Sequence, residues 1–397
     1  MGILSQRVTS MAESETLKMA KMARELREQG HAVISLSLGE PDFDTPDHIK
    51  KVATRAIEEG FTKYTPVSGI LELKKAISNK FHKENNLPYA VNQIVVSNGA
   101  KQSFANICLA MLDEGDEVVV FSPYWVSYVQ IIQMAGGKSV IVKAGIDQDY
   151  KVSAEQVEKA ITDKTKFILF SSPCNPTGSV FTRHELDEIA KVVAKFPHVY
   201  IVSDEIYEYI QFADKHESIG SNPLVFDRTI TINGFSKGYA MTGWRLGYLG
   251  APKFIAEACE KIQGQFTSGA ASFSQKAAVE ALEASNDPTD RMKDAFLVRR
   301  DLVIDLLNKI KGIKINHPNG AFYLFPDISW FFGKSNGKDT IHNADDFCDL
   351  VMNNVYVGLV SGGAFGAPEC IRISYAASEQ ELREACLRLA EYLGNFK

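Results

Sequence analysis

Lys237 stands in the run Asn233-Gly234-Phe235-Ser236-Lys237-Gly238-Tyr239-Ala240-Met241-Thr242-Gly243-Trp244-Arg245-Leu246-Gly247. Small residues at 234, 236, 238, 240 and 243 surround the amine and leave room for a bulky group against the backbone. Ser236 puts a hydroxyl beside it, and eight positions on comes Arg245, a rigid fork of donors suited to a phosphate. Any single lysine is ordinarily a solvated surface residue. A lysine in a small-residue pocket, with a hydroxyl and an arginine nearby, suits a Schiff base to pyridoxal phosphate.

That cofactor acts as an electron sink while its pyridine nitrogen stays protonated, which asks for a carboxylate beside it. Asp204 closes the β-prone run Tyr200-Ile201-Val202-Ser203 and would emerge at the strand end. A turn or helix cap is the plain alternative for such an aspartate. Tyr207, three residues later, can donate to the cofactor's phenolic oxygen, and so can the Asn175 amide in Ser172-Pro173-Cys174-Asn175-Pro176-Thr177-Gly178. Trp125 reads as a lid over the ring or as buried core. Arg372 interrupts the apolar run Ile371-Arg372-Ile373. An unpaired buried cation is costly, so Arg372 is either half of a structural ion pair or a bidentate clamp on a carboxylate.

These residues need elements to hold them. Apolar strands at residues 93–97, 117–121, 138–142, 165–170, 200–204 and 228–232 alternate with helical patterns at 100–111, 124–135, 154–160 and 184–196. That rhythm predicts an α/β fold with a mostly parallel sheet covered on both faces, and ligands at the carboxyl ends of its strands. Gly99 and Ala100 mark a strand-to-helix turn, where free N–H groups and the helix dipole favour an anion. Upstream lie an amphipathic helix over 13–30, a strand over 31–36, and helices over 46–59 and 70–85. Residues 290–311 read as a long connecting helix into a smaller α+β domain. Its pieces are 313–315, 321–325, a helix over 343–353, 355–359, 370–375 and a last helix from 379. The domain boundaries follow as 1–45 for an N-terminal arm and the start of the small domain, 46–289 for a large cofactor-binding domain, and 290–397 for the rest of the small domain.

The 397 residues carry a formal net charge of −6 with no Lys/Arg block, which argues against a dedicated nucleic-acid binder. No run of about 18 apolar residues predicts a membrane span. The first residues have no apolar signal core, and six scattered cysteines read as reduced, so a cytoplasmic location is expected. No metal-ligand spacing stands out. Cys174 falls inside a motif, at a position read as incidental rather than nucleophilic.

The lysine run, with GEPDF-x-TP at 39–46, KYTP-x-x-G at 63–69, SP-x-NPTG at 172–178, VSDEIY at 202–207 and R-x-S-Y at 372–375, resembles the class I pyridoxal-phosphate aminotransferases. The likeness runs from Leu4 to the last helix and falls nearest the bacterial aspartate aminotransferase branch. It implies fold-type I architecture and a two-stage transamination in which Lys237 moves the proton of the substrate α-carbon. It also implies a homodimer with shared sites, because the tyrosine matching Tyr64 reaches the partner's cofactor phosphate. Ser236, Arg245, Gly99 and Ala100 would hold that phosphate, the Gly39 N–H would meet substrate, and Arg372 would clamp the α-carboxylate. The branch with NG-x-K-Q uses its lysine on the second carboxylate, which points to Lys101; a phosphate-facing or solvated lysine is the alternative. Aspartate and glutamate with their 2-oxo acids are therefore the expected substrates. An aromatic, alanine or prephenate aminotransferase and a C–S β-lyase are alternatives on the same site. Some relatives that also accept prephenate carry a lysine in the N-terminal segment, where this chain has Met11-Ala12-Glu13; Ala12 cannot supply that cation, which counts against prephenate without ruling it out. A silent cofactor-binding module of a transcription regulator is disfavoured, since about 30 residues precede the first strand and the lysine run is intact.

Overall fold

The computed structural model describes residues 3–11, 15–213 and 215–397. The chain begins with α1 (Gln6–Thr9) and α2 (Glu15–Glu28), then β1 (Ile34–Ser35). Helices α3 (Asp47–Glu58) and α4 (Leu71–Glu84) follow, and Gly60 lets the chain turn away at φ +76°. Next come β2 (Ile94–Ser97), α5 (Ala100–Met111), β3 (Glu117–Ser122), α6 (Ser127–Met134), β4 (Lys138–Lys143), α7 (Ala154–Ala160) and β5 (Thr165–Ser171). The alternation continues through α8 (Arg183–Ala194), β6 (Tyr200–Asp204), β7 (Thr229–Gly234) and β8 (Gly247–Gly250). Three helices then run in sequence, α9 (Lys253–Phe266), α10 (Ser272–Glu283) and the long α11 (Asp287–Leu307). The chain closes with β9 (Tyr323–Leu324), α12 (Ala344–Val355), β10 (Val357–Gly358), β11 (Val360–Ser361), β12 (Ile371–Ser374) and α13 (Glu379–Leu393).

Local chemistry accounts for many of these boundaries. Thr182, Ser153 and Ser378 each cap a helix start and share a reciprocal pair with Glu185, Gln156 and Glu381 three residues on. Pro288 is tolerated in the first turn of α11, which therefore begins at 287 rather than 290.

The main sheet has seven strands in the order β2-β8-β7-β6-β5-β3-β4. Strands β3 to β7 pair in parallel, while β8 is antiparallel to both β7 and β2. The central strands are buried except at Lys166 and Tyr200, which are half-buried, as expected of a sheet covered on both faces. Edge strand β4 has only exposed and half-buried residues.

Other apolar residues form a core of their own, in which Met19, Ala23 and Ile34 join Phe347, Val351, Leu389 and Leu393. There β1 pairs in parallel with β10, so the early strand and the C-terminal region share hydrogen bonds. Further details depart from the sequence expectation. The strand over 31–36 shrinks to two residues, and 313–315 contributes only the bridge between Lys314 and Asp327. Elements β8, α9 and α10 have no counterpart in the sequence expectation. Strand β8 is Gly-Tyr-Leu-Gly, whose two glycines depress strand propensity, and packing forces its place: a Cβ at Gly247 would fall 2.2 Å from the Ala100 nitrogen.

Candidate active site

Two parallel neighbours, β6 and β7, bring the central pair of groups to one sheet edge. Asp204 is the last residue of β6 and lies opposite Ile232 of β7; Lys237 comes three residues after β7 ends. Asp204 is buried, and burial lifts its carboxyl to about 6, against the donors Tyr128 Oη (2.6 Å) and Ile206 N (3.2 Å). Lys237 is half-buried, and desolvation pulls its ammonium down to about 8. The Glu40 charge opposes that fall, while Arg372 and Arg245 add to it. Its Nζ donates to the Gly39 carbonyl.

The Gly39 loop is pinned to the lysine loop at three points. Thr242 Oγ1 donates to Glu40, Thr45 Oγ1 donates to the Ala240 carbonyl at 2.6 Å, and Trp244 Nε1 donates to Thr45 Oγ1 at 2.9 Å. Arg299 of α11 grips the same loop through Asp42 at 2.7 Å. The amine is thus held between two segments nearly 200 positions apart in the chain.

Arg372 on β12 is 2% exposed. Its Nη1 donates to Asn175 Oδ1 at 3.0 Å and its Nη2 to the Ser37 carbonyl at 2.7 Å. Its Nε is buried without a partner, and among the described residues no carboxylate lies within 4.0 Å of the guanidinium. The ion-pair alternative for Arg372 is therefore not what this geometry shows. The guanidinium carbon packs 4.7 Å from the Tyr323 ring centre and 4.9 Å from that of Phe365.

Anion-binding groups gather at the start of α5. Gly99 caps the helix at φ +80°, and a Cβ there would lie 2.5 Å from Arg245 Nη2. Arg245 also donates to the Thr242 carbonyl at 2.8 Å, and its own backbone is left-handed at φ +54°. Ser236 is 8% exposed, and its hydroxyl has no hydrogen bond among the described residues. Lys101 sits in the first turn of α5 with Nζ 5.0 Å from the Trp125 ring centre. As a residue Lys101 is exposed, yet desolvation of the amine, then the Arg245 charge, lowers its pKa. Trp125 is half-buried and meets Tyr128 edge-on at 5.3 Å. Tyr207 is buried with its hydroxyl 2.8 Å from that of Tyr323. Tyr64 is 97% exposed.

Tyr128, Ser37, Thr45 and Tyr323 carried no expectation from sequence. Tyr128 lies three residues after Trp125, a helical spacing that puts the two on one side of a turn but says nothing of its bond to Asp204. The Cys174 thiol is pushed up by burial, which makes it a poor nucleophile. Behind Asp204, Glu205, Glu208 and His216 bring ligand-type atoms within 4.8 Å of one another. The Lys80 ammonium already pairs with Glu208, and Asn85 Nδ2 donates to Glu208 at 2.7 Å, so protein groups close this cluster.

The class I and II aminotransferase family model matches residues 31–389. This chain belongs to that family. A bifunctional aspartate aminotransferase and glutamate/aspartate-prephenate aminotransferase of Petunia hybrida is 46% identical over 99% of this chain and 83% of its own length. The aspartate/prephenate aminotransferase of Cereibacter sphaeroides is 44% identical over 99% of each chain. Among solved structures, the aspartate aminotransferase from Rhizobium meliloti superposes with a TM-score of 0.97 at 40% identity, covering 100% of both chains. The aspartate aminotransferase from Thermus thermophilus with maleate gives 0.93 at 38% identity, over 98% of this chain and 100% of the other.

For this aminotransferase the residues fit pyridoxal phosphate. A buried carboxylate, an amine with a depressed pKa and a helix start with no side chain at Gly99 stand on one sheet edge. Ala12 and Glu13 lie outside the described residues. Among the described residues no helix is long and apolar enough to cross a membrane.

Proposed function

We propose that this aminotransferase is an aspartate aminotransferase, moving an amino group reversibly between L-aspartate and 2-oxoglutarate to give oxaloacetate and L-glutamate. The observation that carries this reading is Arg372, a buried guanidinium tethered by neutral groups with its Nε unpartnered; Lys101, over the Trp125 ring, supplies a second cation. Two separate cations suit a dicarboxylic amino acid. The names of the similar proteins support the same choice.

Pyridoxal phosphate, when bound, supplies an electron sink for the substrate's α-carbon. Lys237 would hold it covalently, and Asp204 would keep a proton on its ring nitrogen. Ser236, Arg245, Gly99, Ala100 and, from the neighbouring subunit, Tyr64 would hold its phosphate. Lys237 would then take the proton that leaves the substrate α-carbon and give it back to the carbon on the far side of the amino nitrogen, work suited to an amine that burial lowers to about 8. Arg372 fixes the α-carboxylate, Lys101 the distal one, and Trp125, Asn175 and Gly39 shape the space between them. The exposure of Tyr64 supports a homodimer with shared sites. The domain division at 45 and 289 and a cytoplasmic location belong to the same reading.

The test is the visible absorbance of the purified holoenzyme. Aspartate should bleach the cofactor band and 2-oxoglutarate should restore it, with alanine acting far more weakly. A band indifferent to aspartate would overturn the proposal. Prephenate as amino acceptor is a second reading, favoured by the names of the Petunia and Cereibacter relatives. Restoration of the band by prephenate would establish it.

A further inference from the structure

Tyr323 touches three parts of the site at once. Its hydroxyl is 2.8 Å from that of Tyr207 and has no other hydrogen bond among the described residues. Its ring lies 4.7 Å from the Arg372 guanidinium carbon. A side chain at Gly39 would meet its oxygen at 2.8 Å, so the hydroxyl rests against the loop whose carbonyl receives Lys237. Tyr323 is fully buried on β9, paired across the sheet with Ser374, two residues after Arg372. A phenylalanine would fill the same volume, so what the hydroxyl adds is its bond to Tyr207.

We propose that Tyr323 is a positioning residue that joins the carboxylate clamp at Arg372 to the phenol of Tyr207. The inference rests on the reading in which Tyr207 donates to the cofactor's phenolic oxygen. Tyr207 has one proton. Once that proton is given to the cofactor, the 2.8 Å contact is held by the Tyr323 hydroxyl as donor. A hydroxyl that accepts a hydrogen bond becomes a stronger donor, so Tyr323 strengthens the grip of Tyr207 on the phenolic oxygen. That grip favours the oxygen as an anion and loosens the proton held at the lysine–cofactor linkage. The same Tyr323 ring shields one face of Arg372, so a carboxylate arriving at the clamp meets the side chain that supports Tyr207. The other charged groups facing this cluster are Asp204 from β6, Glu40 from the 39–46 loop, and Lys237 and Arg245 from the loop after β7.

The test compares Tyr323→Phe, Tyr323→Leu and Tyr207→Phe as holoenzymes, reading the pH midpoint of the cofactor band and the affinity for maleate, a dicarboxylate probe. Tyr323→Phe keeps the ring and should raise the midpoint by about half a unit or more, with maleate affinity changed less than about two-fold. Tyr323→Leu should raise the midpoint and also weaken maleate roughly ten-fold. A purely structural role would lower thermal stability and leave the midpoint in place. If Tyr207→Phe moves the midpoint and Tyr323→Phe does not, the relay is overturned. If neither moves it, the assignment of Tyr207 falls, and this inference with it.

Discussion

The Tyr128 hydroxyl donates to Asp204 Oδ2 at 2.6 Å, from a helix start to the end of a sheet strand. Burial lifts that carboxyl to about 6, and Tyr128 opposes the rise. In turn, burial and then the Asp204 charge push the tyrosine well above its usual value, so it stays a donor at every working pH.

A raised carboxyl pKa is a cost to the folded, cofactor-free protein. The cost is absent below the unfolded value near 3.8, grows as pH rises toward 6, and is constant above that. Asp204→Asn should therefore stabilise the cofactor-free protein by on the order of 2–3 kcal/mol at pH 8. The gain should shrink as pH falls through the window from 6 to 4. Denaturant titration at pH 8 and pH 5 would show it, and a gain independent of pH would exclude this origin. The same variant should hold pyridoxal phosphate more weakly.

Lys237 titrating near 8 implies that roughly one amine in four is unprotonated at pH 7.5, against about one in a thousand for an ordinary lysine. The rate at which cofactor-free protein takes up pyridoxal phosphate should climb with pH through about 8. Stopped-flow absorbance would follow the climb. A midpoint near 10 would mean that burial does not set this amine.

Lys101→Ser should lower kcat/KM for aspartate by roughly ten- to a hundred-fold while alanine changes less than about three-fold. The Trp125 ring that Lys101 covers remains in place, so the comparison isolates the cation. Equal losses for both amino acids would remove Lys101 from substrate selection.

Behind the site, Lys80 is 3% exposed and pairs with Glu208, which is 7% exposed. Burial opposes the Glu208 charge, but Lys80 and then His216 outweigh it and hold the carboxyl below its usual value. Lys80→Met should destabilise the holoenzyme by roughly 3–5 kcal/mol, because a carboxylate is left buried beside Glu205. Adding Glu208→Leu should recover most of that loss. Denaturation at matched protein and cofactor concentrations measures both, and a neutral Lys80→Met would show that the pair carries little.

Much of this aminotransferase was legible in the residues because the signals are local. Strand and helix periods marked the βα alternation, and the Ser/Thr-x-x-Glu/Gln boxes place helix starts without reference to the rest of the chain. The small residues around Lys237 and the strand-ending Asp204 pointed to one cofactor, since each motif spans fifteen residues or fewer. The partners of those groups were not legible. Tyr128 meets Asp204 across 76 positions, Tyr207 meets Tyr323 across 116, and Arg372 meets Ser37 across 335. Nothing in a local period reports which distant side chain fills the last hydrogen bond of a buried group. Strand β8 was hidden for the same reason: its glycines argue against a strand, and its place is set by close approach to α5. The residue types thus determined which chemistry the chain carries. Only the tertiary path decided which neighbours tune it, because desolvation and pairing act between groups that the fold, and not the order of residues, brings together.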